Sequence, residues 1–222
     1  AFNSKVDGVD YQFVTVTDVT KQNTGNSVPF DSTEVYEGTY TTTKYLVDSN
    51  DVDQRFMLTD VRADTSTLTV RVQNSVSDTT TTTYTKATDI TQLSSSSTVY
   101  YLQETESGKF QIYFGDGATS AALSDGNIVQ LNYVITNKTA ANGASSFSSP
   151  SAIDSVTGIT VTTVANAAGG SEPETISSIK LNAPLDYATQ GRAVTAEDYK
   201  VYVRKLFNNT QAVSVWGGED GS

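Results

Sequence analysis

The sequence predicts a mainly β fold with an α+β C-terminal part: an antiparallel β-sandwich-like region followed by two helices and a strand. Three observations lead to this prediction. The chain is rich in Thr, Ser, Val and Tyr, a composition that favours strands. Several short segments alternate apolar and polar residues, and clusters of Gly, Asn, Asp and Ser separate them. After Gly169-Gly170 the apolar residues recur at helical spacing.

The strands are predicted from this alternation. It is clearest in residues 67–73, where Leu68, Val70 and Val72 share one face, and it recurs in 109–114 and 128–135. The run of threonines in 79–83 is either a linker or a solvated edge strand, and β-branched residues without apolar partners favour the edge strand. Weaker strand patterns occupy residues 11–17, 39–47, 55–61, 99–103 and 158–164.

Two helices follow. Ser171 and Glu174 form a capping-box pattern and Pro184 marks a stop, which predicts a helix over residues 171–183. Thr195 caps a second helix that ends at Asn208-Asn209, and a strand is expected over 211–216. The second helix carries an apolar stripe that either packs into the unit's own core or forms a partner surface: Tyr199, Tyr202, Val203, Leu206 and Phe207.

These elements suggest two domains. Residues 1–168 form a β-rich region, with room for two small subdomains that meet near residues 92–98, and residues 169–222 form an α+β region. The chain does not begin with Met and stops at the polar sequence Gly-Gly-Glu-Asp-Gly-Ser. We therefore expect a piece of a longer protein, with the α+β region incomplete at its C-terminus.

The composition excludes several kinds of chemistry. The chain contains no His and no Cys, which excludes Ser-His-Asp and Cys-His nucleophiles, thiolate zinc sites and iron–sulfur clusters. With 14 basic and 25 acidic residues the net charge is −11, which argues against binding to nucleic acid or to an anionic membrane. We expect no cofactor, no nucleic-acid partner and no membrane partner.

Three acidic motifs invite a catalytic or metal-binding interpretation. Residues 48–53 resemble a calcium loop, but the sixth and twelfth positions are Asp53 and Thr59 where an EF-hand needs Gly and Glu, so a solvated acidic turn is favoured. Gly115-Asp116-Gly117 follows a strand and fits either a metal or phosphate loop or a tight turn, and the turn is favoured. The carboxylate pairs Glu34/Glu37 and Glu104/Glu106 are expected to be exposed. We predict no metal site and no catalytic residue.

A larger group of motifs spans residues 100–198. A strand ends in Phe114-Gly115-Asp116-Gly117, a second strand contains Tyr133, and Gly169-Gly170 leads to a helix bearing Glu174. Ala183-Pro184 and the sequence Gln-Gly-Arg-Ala-Val-Thr-Ala-Glu-Asp-Tyr over 190–199 follow. In order and spacing this group resembles the baseplate J-like family of contractile-tail phages, especially its T-even members. Residues 118–123 lack a Gly and a Pro that relatives carry, and residues 1–90 show no recognisable motif.

The resemblance implies a structural protein. Family members join baseplate wedges into a ring around the central hub, and the T-even member pairs with itself and contacts other wedge proteins. The implied location is the virion tail baseplate, assembled in the host cytoplasm, and the resemblance supplies no catalytic residue. It implies that the motif residues determine the fold: Gly115, Asp116, Gly117, Glu174, Arg192, Thr195 and Asp198. Independently of the resemblance, the acidic residues near Arg192 in the sequence, Glu174, Glu197 and Asp198, predict an ion pair that fixes the helix start.

Two other functions remain open from the sequence. Strands rich in Thr, Ser and Tyr are typical of a carbohydrate-binding or adhesin-like β module, which would need a groove of exposed Tyr side chains or the single Trp216 to stack on sugars. The excess of carboxylates alone motivates a carboxylate or calcium enzyme, which would need a cleft with two converging carboxylates.

Overall fold

The computed structural model describes residues 1–22, 25, 27–149, 152, 156–207, 210 and 212–217. The chain divides into two compact units, residues 1–171 and 172–222. Among the described residues, the first unit has eleven strands in two sheets and the second has two α-helices. The predicted fold class, mainly β with an α+β C-terminal part, is confirmed.

The smaller sheet brings the start of the chain together with residues near 147. Its strand order is β11-β1-β2-β3. Asp7 and Gly8 both have positive φ, 49° and 83°, so an Asp-Gly turn of the mirror-image type joins its two longest strands. Phe13 and Phe147 pack edge to face in its core, with ring centroids 4.9 Å apart. The four strands are β1 (Phe2–Val6), β2 (Val9–Val14), β3 (Tyr36–Glu37) and β11 (Phe147–Ser148).

The larger sheet has seven strands in the order β4-β10-β6-β7-β8-β9-β5. Its edge strands approach each other: the Tyr45 hydroxyl donates to the Met57 carbonyl at 2.6 Å, and the side-chain Nε2 of Gln54, just before β5, donates to the Leu46 carbonyl at 2.9 Å. The sheet therefore curls towards a barrel. Its strands are β4 (Thr39–Leu46), β5 (Phe56–Met57), β6 (Ala63–Gln73), β7 (Thr81–Lys86), β8 (Val99–Glu104), β9 (Phe110–Phe114) and β10 (Ile128–Ile135).

The main core lies inside this curled sheet. Val70, Ile112 and Leu131 are fully buried, so the alternation in the three clearest sequence segments correctly identified the inward faces. Phe114 packs edge to face against Phe56 and Tyr84. These contacts make the inner face a continuous apolar layer, closed by side chains from both edges of the sheet.

Two strand predictions need correction. The threonine run is not one of them, because residues 81–83 of β7 pair only with β6, and β8 joins β7, in parallel, only at Thr85 and Lys86. The run is therefore a solvated edge, although β7 as a whole lies between β6 and β8. Residues 81–83 stay exposed because β8 reaches only the end of β7. Residues 158–164 form no strand, since no neighbouring strand pairs with their alternating side chains, and of residues 55–61 only β5 is a strand. Residues 92–98 connect β7 and β8 within one sheet.

The helical unit begins later than the sequence suggested. The first helix, α1 (Ile176–Thr189), is capped by Thr175, whose hydroxyl accepts from the Ser178 amide at 3.2 Å. It continues through Pro184, which costs one main-chain hydrogen bond within the helix. The prediction of 171–183 was therefore wrong at both ends.

The second helix, α2 (Ala196–Leu206), starts at Thr195 as predicted. Described residues 212–217 form no strand, which corrects the expected final strand. Asn208, Asn209 and Gln211, to which the helix end and the start of that strand were assigned, lie outside the described residues.

Candidate interaction surfaces

The Gly115-Asp116-Gly117 segment forms a closed turn. The Gly117 amide donates to the Ser120 carbonyl at 2.9 Å, and Asp116 accepts from the Ala118 amide at 3.0 Å, which lowers the pKa of Asp116. Gly117 has φ +88°, where an L side chain is strained. Asp116 and Gly117 thus make their hydrogen bonds within the turn itself.

Ser120 packs against this turn, and nothing in the sequence indicated that this residue is buried. A Cβ added at Gly115 would lie 1.9 Å from the Ser120 Oγ and 2.9 Å from its carbonyl oxygen. Ser120 is fully buried, and its hydroxyl has no hydrogen-bond partner among the described residues. Gly115 is therefore required by the close approach of Ser120.

The Gly169-Gly170 pair contacts a short 3-10 helix at Lys138–Ala141. The Gly170 amide donates to the Asn142 Oδ1 at 3.0 Å, and the Asn142 Nδ2 donates back to the Gly170 carbonyl at 2.8 Å. A Cβ at Gly170 would lie 2.1 Å from the Lys138 carbonyl oxygen. The side-chain amide of Asn142 thus holds the end of the β-rich unit in place, and only glycine fits at position 170.

The start of α2 is a complete capping box. Asp198 accepts from the Thr195 amide at 2.8 Å and the Val194 amide at 3.0 Å, while Thr195 accepts from the Asp198 amide at 3.3 Å. The hydrogen bonds from these two amides, and to a smaller extent the charge of Arg192, lower the pKa of Asp198. Arg192 itself donates to the Gln190 Oε1 at 3.4 Å and makes no ion pair with the described residues. The direct ion pair expected at this helix start was wrong.

Glu174 lies just before α1. Its carboxylate accepts from the Ser178 hydroxyl and from the Asn182 amide, and these bonds lower the pKa of Glu174. Glu174 thus ties the chain before the cap to the first turns of α1, a different role from the predicted pairing with Ser171.

The apolar stripe of α2 is largely open. Tyr199, Leu206 and Phe207 are 50%, 73% and 64% exposed, and Tyr202 and Val203 are half-buried. In the described part of residues 172–222 only Thr189 is buried, so this unit does not cover the stripe with a core of its own. Of the two interpretations left open by the sequence, burial in the unit's own core is not what the described residues show. Exposed apolar patches of this kind mark contact surfaces.

The aromatic side chains that a sugar-binding site would use are arranged differently. On the outer face of β8 and β9, Tyr101 and Tyr113 stack on each other at 5.1 Å, and the Arg55 guanidinium lies 4.6 Å from the Tyr113 ring centre. Trp216 is 70% exposed. The faces of these tyrosine rings, on which a sugar would stack, therefore contact each other and the Arg55 guanidinium.

The acidic motifs make local hydrogen bonds. Asp48 accepts from the amide and side chain of Asn50, both at 2.9 Å, as in a tight turn. Glu34 accepts from the Tyr36 hydroxyl, whereas Glu37 accepts from the Asn137 amide and side chain, so the two carboxylates of this pair have separate partners. Among the described residues there is no group of three or more acidic side chains that could hold a metal ion. No helix in the described ranges is long and apolar enough to span a membrane.

Comparisons with known proteins show that most of the larger sheet is similar in sequence to a phage protein family. Residues 41–145 match the model for "Bacteriophage baseplate wedge protein gp6, third domain". The chain is 32% identical over 145 residues to the baseplate wedge protein gp6 of Enterobacteria phage T4, an alignment that covers 55% of this chain and 22% of the relative. The match begins in a part of the chain for which the sequence offered no motif. The predicted resemblance to gp6-like baseplate wedge proteins is confirmed, and the family match includes residues 100–145 of the segment 100–198 that carries the motifs.

Proposed function

We propose, from the premise that residues 41–145 are a gp6-like baseplate wedge domain, that the whole chain is a structural subunit of a phage tail baseplate wedge. In this proposal it joins wedges into a ring around the hub through self-association and through contacts with other wedge proteins. It acts in the virion tail baseplate after assembly in the host cytoplasm, and it has no catalytic role.

The single observation that carries the proposal of protein contacts is the open stripe of α2. Leu206 and Phe207 are both more than half exposed, on a helix whose cap is fully formed. A well-capped amphipathic helix with an uncovered apolar face is typical of a docking element. We propose that Tyr199, Tyr202, Val203, Leu206 and Phe207 are buried in the assembled wedge.

The motif residues have a supporting part in this proposal. Gly115, Asp116 and Gly117 shape the turn around Ser120, and Thr195 with Asp198 starts the helix that carries the stripe. Glu174 and Arg192 make polar contacts near the two helix starts. We propose that these residues determine the fold and do not contact partners.

Binding of the purified chain to wedge proteins, with light scattering to measure its own mass, tests the proposal. Leu206→Ser combined with Phe207→Ser should weaken the binding to wedge proteins, because it removes the exposed apolar surface. Val76→Ser combined with Ile90→Ser, two positions 78% and 74% exposed in the β-rich unit, is the matched control and should have no effect. A chain that is monomeric and shows no affinity for any wedge protein would contradict the proposal.

A further inference from the structure

The outer face of the seven-stranded sheet carries two adjacent rows of side chains that contain no carboxylate. The strand register defines both rows. The first, called the cation row, consists of Lys44, Gln130, Arg71 and Thr83. The second, called the leucine row, consists of Leu46, Ile128, Gln73 and Thr81. In a chain with 25 acidic residues, eight neighbouring positions with two cations and no carboxylate form a distinct electrostatic surface.

The two cations of this face are unpaired. Lys44 and Arg71 are exposed, and their side chains make no hydrogen bond or ion pair with the described part of the chain. The amide groups beside them are satisfied locally, since Gln130 Nε2 donates to Gln73 Oε1 at 2.7 Å. Two strand spacings of about 4.8 Å place the two cations about 10 Å apart. They are available to carboxylates from outside the chain.

Beyond the leucine row, the same end of the sheet is acidic. The loop after β4 contributes Asp48, Asp51 and Asp53, the turn between β6 and β7 contributes Asp78, and the loop before β10 contributes Asp125, all exposed. Hydrogen bonds tie these loops together: the Ser49 amide donates to Asp125 at 3.1 Å, and the Asn127 side chain donates to the Asn74 carbonyl at 2.8 Å. The five carboxylates therefore form one acidic end.

The order along the strands is thus cation row, leucine row, acidic end. Leu46 is 62% exposed between the two charged zones. If a second copy packs face to face with a two-fold axis along the leucine row, each cation row lies opposite the other copy's acidic end. Lys44 of one copy then faces Asp48 and Asp125 of the other copy, and Arg71 faces Asp78 of the other copy. Leu46 contacts the leucine row of the other copy. The same contacts form on both sides of the axis, as a two-fold contact requires.

We propose that this face is a two-fold contact between two copies of the chain. The inference rests on the proposed function in one respect, because it supplies a surface for the self-association proposed there. Four strands and three rows span a patch on the order of 400 Å² per copy, about half of a standard interface. The contact is accordingly weak and salt-dependent, suited to copies that other parts of a baseplate also hold together.

A charge-swap experiment on the full chain tests the contact by sedimentation velocity over a range of concentrations. Lys44→Glu with Arg71→Glu, and separately Asp48→Lys with Asp78→Lys, should each weaken dimerisation about tenfold or more, because like charges then face each other. Mixing the two variants should restore dimers to within about threefold of the original chain, since opposite charges face again on both sides of the axis. Circular dichroism of each variant verifies folding.

Leu46→Lys provides a second route that leaves the charged zones intact. It places a cation beside the axis in each copy and should also abolish the dimer, whereas Val9→Lys, at a position 52% exposed on the smaller sheet, should not. Raising the salt to about 0.5 M should weaken the contact in the unaltered chain.

Each outcome decides between the two proposals. Monomers at all concentrations, or a mixture that does not recover dimers, would overturn the sheet contact. Self-association that depends on Leu206 and Phe207 but not on Lys44 and Arg71 would also overturn it and leave the proposed function standing. Dimers that follow the charge swap, in a chain without affinity for wedge proteins, would support the sheet contact and contradict the proposed contacts with wedge proteins.

Discussion

At the scale of single residues, the Gly-Asp-Gly turn shows how a close contact determines residue type. Gly115 has no unusual φ to explain it; the constraint is the neighbouring Ser120, which occupies the space a Cβ would take. The sequence made the turn predictable through Gly117 and Asp116, which act on their own loop. It could not reveal Ser120, because a serine in a polar loop gives no sign that it is buried.

The first prediction concerns this contact. Gly115→Ala should lower the free energy of unfolding by about 2–3 kcal/mol, because the added methyl overlaps Ser120 in a packed site. Ser120→Ala alone should be neutral or stabilising by about 1 kcal/mol, since it removes a buried hydroxyl without a partner in the described structure. Urea unfolding measures both effects.

The control for this pair separates overlap from backbone strain. Gly108 has φ +73° and nothing within 4 Å of an added Cβ, so Gly108→Ala tests strain alone. The double variant Gly115→Ala with Ser120→Gly should recover part of the loss. If it recovers nothing, overlap with the Ser120 side chain is not the cause of the destabilisation.

Asp198 supports a second residue-scale prediction, on pH. Hydrogen bonds from the Thr195 and Val194 amides hold the pKa of Asp198 below its ordinary value of 3.8, so the folded state binds the proton less readily than the unfolded state. The stabilisation is therefore complete above the ordinary pKa and is lost as the pH falls through the lowered value. Below that range α2 should fray at its start.

Amide chemical shifts of Val194 and Thr195, followed by NMR from neutral to acidic pH, measure this change. Asp198→Asn keeps an acceptor oxygen but cannot titrate, so it should remove the pH dependence of both amides. A transition of the same size in the asparagine variant would show that another group is responsible.

At the scale of elements, the sequence was most informative where one face is buried. β10 and the inner positions of β6 follow directly from alternation, because each inward residue meets the core. It was least informative for residues 158–164, where alternation exists without a partner strand, and for the end of β7, which pairs in parallel with β8. Pairing is a tertiary property that short windows do not contain.

Helix α1 supports an element-scale prediction. Pro184 lies inside α1 and removes a main-chain donor, yet Thr175 and Glu174 anchor the helix start firmly enough for it to continue to Thr189. Pro184→Ala should stabilise α1 by about 1–3 kcal/mol, because it restores that hydrogen bond and relieves the ring contact.

Far-UV circular dichroism and hydrogen exchange of α1 amides measure the effect of Pro184→Ala. Ala183→Gly is the control at the neighbouring position and should destabilise the same helix by about 1 kcal/mol. Unchanged helix content in both variants would indicate that α1 is not formed in solution as described.

At the scale of the whole molecule, the distribution of the net charge of −11 matters more than its sign. The carboxylates are not spread evenly: one end of the larger sheet holds five of them, while the adjacent rows hold two cations without a partner among the described residues. Composition gives only the overall charge and could not show this segregation, which depends on register between strands distant in sequence. The apolar stripe of α2 was visible in the sequence, whereas its exposure was not.

The two units should differ in local stability, and this is the whole-molecule prediction. Amides of β6 and β10 lie in a sheet with fully buried Val70 and Leu131, so they should exchange only through large-scale unfolding. Amides of α1 and α2 have almost no buried side chains behind them and should exchange orders of magnitude faster. Hydrogen exchange followed by mass spectrometry on the full chain measures both sets at once.

Adding partners tests which surface each one covers. Binding of wedge proteins through the α2 stripe should slow exchange in α2 without changing β10, because it supplies the apolar cover that the unit lacks. Dimerisation through the cation and leucine rows involves the β-rich unit. Raising the concentration of the chain should therefore slow exchange in β4 and in the turn between β6 and β7, while exchange in α2 stays fast. Equal protection of α2 and β10 in the isolated chain would contradict the unequal stability of the units, and with it the reason for expecting the helices to need a partner.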